Sequence, residues 1–116
     1  MTTQDKTPIR ALIEGVEVGR TIGLNVKDVC RALGWKFPDT RTRHILEAEV
    51  GSLDAAKALH EALLPDRATV EFWHSKRYED ESYVYVHMPD AVYSGRADNP
   101  ARAWLIAILK AYEAQQ

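Results

Sequence analysis

Ser52–Tyr112, SLDAAKALHEALLPDRATVEFWHSKRYEDESYVYVHMPDAVYSGRADNPARAWLIAILKAY, is the stretch that decides the fold. It opens on a serine suited to cap a helix, with Asp54 in the first turn, where the helix dipole favours a carboxylate. Leu53, Ala56, Leu59 and Leu63 recur at helical spacing until Pro65-Asp66 ends the segment. From Arg67 to His74, Ala68, Val70 and Phe72 alternate with Thr69, Glu71 and Trp73, the period-two pattern of a strand. Ser82 to Met88 repeats the pattern, with Val84, Val86 and Met88 against Tyr83, Tyr85 and His87. The charged run Ser75–Glu81 between them has the length of an open hairpin loop. Pro89-Asp90 turns the chain into a third strand over about Ala91 to Arg96, and Asn99-Pro100 caps a closing helix. That helix is apolar nearly all round, so Trp104, Ile108 and Tyr112 belong either to the core or to an oligomer interface.

Upstream, Thr7-Pro8 followed by Ile9, Leu12, Ile13 and Val16 predicts a helix over about 8–18. Asn25 caps a shorter one carrying Val26, Val29, Cys30 and Leu33, and Gly34 ends it as a left-handed cap. Residues 35–51 carry a turn at Pro38-Asp39 and a candidate fourth strand at Arg41–Leu46. The expected class is α+β, with an antiparallel meander of three strands, or four if Arg41–Leu46 joins it. Bulky residues on both sheet faces call for cover on both, so the sheet is expected to lie between helices in an α/β/α sandwich.

The whole 116-residue chain fits one domain, with residues 1–6 and 114–116 as tails. A hydrophobic fraction of 46% and a charged fraction of 28% are those of a globular protein. A formal charge of −2 gives no global field for steering onto nucleic acid or an anionic membrane, so such binding needs a local patch. The single cysteine excludes an internal disulfide, and the N-terminus lacks the apolar run of a signal peptide. With no long apolar stretch either, a cytoplasmic protein without membrane contact is expected.

The sequence resembles a known family. Ala32-Leu33-Gly34-Trp35, the helix start Ser52-Leu53-Asp54-Ala55-Ala56, and Asn99-Pro100-Ala101-Arg102-Ala103 with Ile108-Leu109-Lys110-Ala111 together look like the phage ABA sandwich domain. The resemblance runs in order over nearly the whole chain. It implies a small phage or prophage protein with a sandwich fold, and it carries over no catalytic residue. A shorter stretch, Val26–Gly34, is similar to the signature of the BRO-type N-terminal domain of phage antirepressors, and Pro38, Arg41 and Arg43 fall where that domain continues. That domain has strands before this helix, where Ile9–Val16 reads as helix, and nothing after Ser52 fits it. Convergence on a capped helix accounts for the likeness, while DNA binding stays as an alternative.

Catalytic signatures are missing from the pattern. His74 and His87 lie on neighbouring strands, but no third ligand has metal-site spacing, so no metal is expected. Cys30 sits on an apolar helix face, Ser52 is a cap, and Glu79, Asp80 and Glu81 form a loop-tip cluster without the burial that shifts a carboxylate pKa. Gly15, Gly19 and Gly23 lack the strand and lysine of a phosphate loop, and no cofactor is expected. The densest positive stretch is Arg31, Lys36, Arg41, Arg43 and His44, the nucleic-acid alternative, for which a solvated face is the plainer explanation. The most suggestive surface is Trp73, His74, Lys76, Arg77, Tyr78, Tyr83, Tyr85 and His87, where aromatics flanked by cations suit a protein partner or a small anionic planar ligand. If helices cover that face, the same aromatics are simply core. The sequence thus points to a non-catalytic phage accessory protein that binds a host protein or nucleotide signal, with a nucleic-acid regulator second and a small enzyme third.

Overall fold

The closing helix organises the whole molecule. In the computed structural model, which describes residues 7–19, 26–75 and 81–116, the order is α1 (Thr7–Glu17), α2 (Val26–Leu33), α3 (Thr40–Glu49), α4 (Leu53–Leu63), β1 (Thr69–Ser75), β2 (Glu81–His87), β3 (Val92–Ala97) and α5 (Pro100–Ala114). Asn99 caps α5 by accepting from the Arg102 amide at 2.7 Å, with Pro100 at the first helical position. One side of α5 packs on β2 and β3, and its other sides pack on α1, α3 and α4. A helix with neighbours on every side must be apolar on every side, which is why Ala101, Leu105, Ile106, Ile108 and Leu109 are all fully buried. The α5 residues Trp104 and Ile108 are therefore core, and Tyr112 is half-buried against Trp35.

The three strands form an antiparallel sheet in the order β1-β2-β3. Val84 faces Phe72 and Gly95, and Val86 faces Val70 and Tyr93, so these residues share the face toward α5. At Gly95 the strand lies so close to α5 that a Cβ would stand 1.9 Å from the Ala103 carbonyl oxygen. Only glycine fits there.

The α+β class, the meander and helices packed on it are as the sequence implies. The stacking is sheet, then α5, then the remaining helices, so the described helices gather on one side of the sheet. Among the described residues no second helical layer lies on the far face, where Trp73 is 58% exposed. The described helices satisfy their apolar faces against α5 and one another, which leaves none of them to cover that face.

Arg41–Leu46 is helical, which corrects the candidate fourth strand; among the described residues the sheet has three. Asp39 caps α3 from an extended backbone, accepting from the Arg41 amide at 2.9 Å, and Thr42, Ile45 and Ala48 are its buried stripe. The Arg41 guanidinium donates to both Asp39 oxygens at 2.9 and 2.6 Å and lies 4.0 Å over the Trp35 ring. Trp35 in turn donates from Nε1 to the Tyr112 hydroxyl at 3.0 Å, tying α5 to the start of α3. The guanidinium holds the Asp39 carboxyl below its usual range.

The other sequence-read boundaries lie close to the observed ones. Ser52 accepts from the Ala55 amide at 3.1 Å, and α4 ends before Pro65. Gly34 has φ +73° after α2, the left-handed cap expected of it. The Asn25 cap lies outside the described residues.

Candidate functional site

The face of the sheet turned away from α5 is built by strict alternation. The register sets Trp73 beside Tyr83 and Arg96, Glu71 beside Tyr85 and Ser94, and Thr69 beside His87 and Val92. Every second residue of each strand therefore belongs to this face. Tyr83, Tyr85 and His87 are half-buried by their neighbours, while Trp73 and Val92 stand out at 58% and 54% exposure. A hollow of about 340 Å³ opens along the Trp73 end, lined by Trp73, His74, Ser75, Tyr83 and Tyr85.

The charges on this face are paired. His87 Nε2 lies 2.9 Å from Glu71 Oε1, and Arg96 Nε lies 3.4 Å from Glu81 Oε2, which also accepts from the Tyr83 hydroxyl at 3.2 Å. The Arg96 guanidinium sits 6.0 Å from the centre of the Tyr83 ring. His87 first, and the Trp73 indole second, hold the Glu71 carboxyl below its usual range. The result is an aromatic strip down the middle, with the His87–Glu71 hydrogen bond at one end and the Arg96–Glu81 salt bridge at the other.

Of the residues singled out in sequence, Trp73, Tyr83, Tyr85 and His87 come together here. His74 points to the other face, since it pairs with Ser82 on the α5 side, although it borders the hollow from the edge. Lys76, Arg77 and Tyr78 lie outside the described residues, as do Glu79 and Asp80. His74 and His87 do not converge, because they stand at opposite ends of the β1–β2 ladder on opposite faces. Among the described residues no group of three metal-ligating side chains forms. Glu71 and Arg96 were missed by sequence reasoning. Their only signal was strand parity, which identifies a face once the register is known.

The basic segment is less of a unit. Arg41 is committed to Asp39 and Trp35, and His44 Nδ1 is 3.5 Å from Glu47. Arg31, Lys36 and Arg43 are exposed on α2, the following loop and α3. Cys30 is 2% exposed, as befits a small core hydrophobe.

Searches against protein-family models, the curated proteins and the solved structures find no match to this chain. Among the described residues no helix is long and apolar enough to cross a membrane.

Proposed function

We propose that the protein works by binding, without catalysis, and that its partner is a protein that seats on the open sheet face at Trp73, Tyr83 and Tyr85. The exposed Trp73 beside two half-buried tyrosines carries this reading. Tryptophan and tyrosine are the side chains that dominate protein interfaces, each giving a large, stiff contact with a polar tip. The pairing of Glu71 with His87 and of Arg96 with Glu81 favours a protein over a small anion, since Arg96, the described arginine on the face, is already held by a carboxylate and His87 is hydrogen-bonded to another. The resemblance to phage sandwich domains gives the role a setting: a phage or prophage accessory protein that binds and blocks a protein of the infected cell, in its cytoplasm.

The exposed cations Arg31, Lys36 and Arg43 support a second reading, phosphate contact with DNA or RNA. Loss of Arg41 to Asp39 weakens it.

The test is retention of the cognate partner from cells that make the protein, followed by titration of that purified partner. Trp73→Ala with Tyr85→Ala is expected to keep the fold and to weaken binding by at least about 30-fold, the loss of a hot spot worth ~2 kcal/mol or more. Arg31→Ala with Arg43→Ala is expected to leave it unchanged. The reverse pattern, with retention that falls steeply as salt rises, would transfer the function to the basic segment. A rise in melting temperature with a cyclic nucleotide, abolished by Trp73→Ala, would instead make a nucleotide the ligand.

A further inference from the structure

The three rings of the open sheet face stand apart from one another. The ladder sets Trp73 directly opposite Tyr83 and diagonally from Tyr85, positions from which side chains of this size readily meet. Yet the ring pairs among the described residues lie elsewhere, at Trp35 with Tyr112, His60 with Trp104 and Phe72 with Trp104. Trp73, Tyr83 and Tyr85 instead line the hollow of about 340 Å³, which is at the small end of the range for ligand clefts. Two of the rings are held from the rim by negative charge. The Trp73 indole donates to the Glu71 carboxyl, and the Tyr83 hydroxyl donates to Glu81 Oε2 at 3.2 Å.

The charge of the face suits a cation. Its described residues carry two carboxylates, Glu71 and Glu81, against one arginine, Arg96, with His87 counted as neutral. The loop sequence Lys76-Arg77-Tyr78-Glu79-Asp80 adds no net formal charge to that balance. An aromatic ring carries negative density on its face and attracts a cation placed over it. The chain makes this contact with arginine twice already, with the Arg41 guanidinium 4.0 Å over Trp35 and that of Arg96 6.0 Å from the centre of Tyr83.

We propose that the hollow at Trp73, Tyr83 and Tyr85 is a cleft for a guanidinium group, and that the protein partner enters it with an arginine side chain. The inference rests on the reading of this face as a protein-binding surface and names what the partner must present there. Arginine fits better than lysine, because its guanidinium is planar, weakly hydrated and stacks on a ring, whereas an ammonium is a compact and strongly hydrated charge. Filling the hollow also removes Trp73 from water, and an exposed aromatic that becomes buried is the usual anchor of an interface. The sign is opposite to that of the anionic ligand suggested by the sequence, because the described arginine on this face is already held by Glu81.

Titration of the full chain followed by nuclear magnetic resonance, read at the backbone amides of β1 and β2, tests this. N-acetyl-arginine amide should shift the amides around Trp73, Tyr83 and Tyr85 and saturate in the millimolar range. N-acetyl-citrulline amide has nearly the same shape without the charge, and should bind about fivefold more weakly, the worth of one cation–π contact at an exposed site. Trp73→Leu and Tyr85→Leu each keep apolar bulk and remove a ring, so each should erase the preference for arginine over citrulline. Unmoved amides in α5 show that these variants keep the fold. In excess, the arginine derivative should also weaken binding of the purified partner, and the citrulline derivative should not. Equal binding of the two derivatives, binding of neither, a preference that survives loss of both rings, or a partner indifferent to the arginine derivative overturns the proposal. The open-face reading is scored separately, by the partner's response to Trp73→Ala with Tyr85→Ala. If that pair weakens the partner while the hollow ignores arginine, the face binds a protein but the cleft takes no guanidinium.

Discussion

Gly95→Ala is expected to destabilise the protein by about 3 kcal/mol or more, at or beyond the upper end of ordinary overpacking, and to lower the melting temperature by roughly 10 °C. The new Cβ would stand 1.9 Å from the Ala103 carbonyl oxygen and 3.0 Å from both the Ala103 carbonyl carbon and the Ala107 amide nitrogen. All three atoms are backbone, so no rotamer change relieves the clash; α5 must move off β3. That movement opens a seam in which Val84, Val86, Leu105 and Ile108 are fully buried. For the same reason trimming the neighbouring side chain, as in Ala103→Gly, should not rescue the variant. Urea titration of the two single variants and the double variant measures this. A Gly95→Ala protein within about 0.5 kcal/mol of wild type, the ordinary range for an unconstrained surface change, would mean that strand and helix are not in this contact.

Trp104→Ala should cost about 3–5 kcal/mol, the range for removing a buried aromatic. Trp104 is 7% exposed, edge-on to Phe72, and its Nε1 donates to His60 Nδ1 at 3.2 Å. His60 Nε2 lies 3.2 Å from the Ala68 carbonyl, so the ring accepts from Trp104 on one nitrogen and donates to the chain before β1 with the other. One indole thus joins α5, α4 and the entry to the sheet, and its loss takes a large part of a stability that is typically 5–15 kcal/mol. Trp104→Glu should fail to fold, because the cavity would hold an uncompensated charge. A folded, smaller species from that variant would instead make α5 an oligomer surface, contrary to its burial. Trp104→Phe keeps most of the apolar contact and should cost ~1–2 kcal/mol, chiefly from the orphaned His60 nitrogen.

The helices and strands after Ser52 could be read in sequence because local signals and tertiary packing agree there. Ser52 and Asn99 cap where hydroxyl and amide side chains should, and the alternation of Tyr83, Val84, Tyr85 and Val86 matches a sheet with two unlike faces. Helix α3 was illegible because Thr40, Thr42 and the nearby arginines suggest a strand or a polar loop. Its true signals were Asp39 as a cap and the spacing of Thr42, Ile45 and Ala48. The state of the Trp73 face was also out of reach. Period-two alternation says that two faces differ, but not whether the second is covered, and aromatics serve equally well in a core or at an interface. What settles it is the packing of α5, whose apolar circumference receives the sheet on one side and α1, α3 and α4 on the others. Sequence reasoning saw that circumference and could not assign its neighbours. The candidate site was therefore half legible: Trp73, Tyr83, Tyr85 and His87 from parity, but not the Glu71 and Arg96 pairings that frame them.

Hydroxyl-radical footprinting of the three tryptophans in the free protein shows whether the sheet face away from α5 is an open aromatic surface. Trp73, 58% exposed, is expected to be oxidised several times faster than Trp104, which is 7% exposed, with Trp35 in between. Protection of Trp73 to the level of Trp104 in monomeric protein would mean that the face is covered, and would contradict the account.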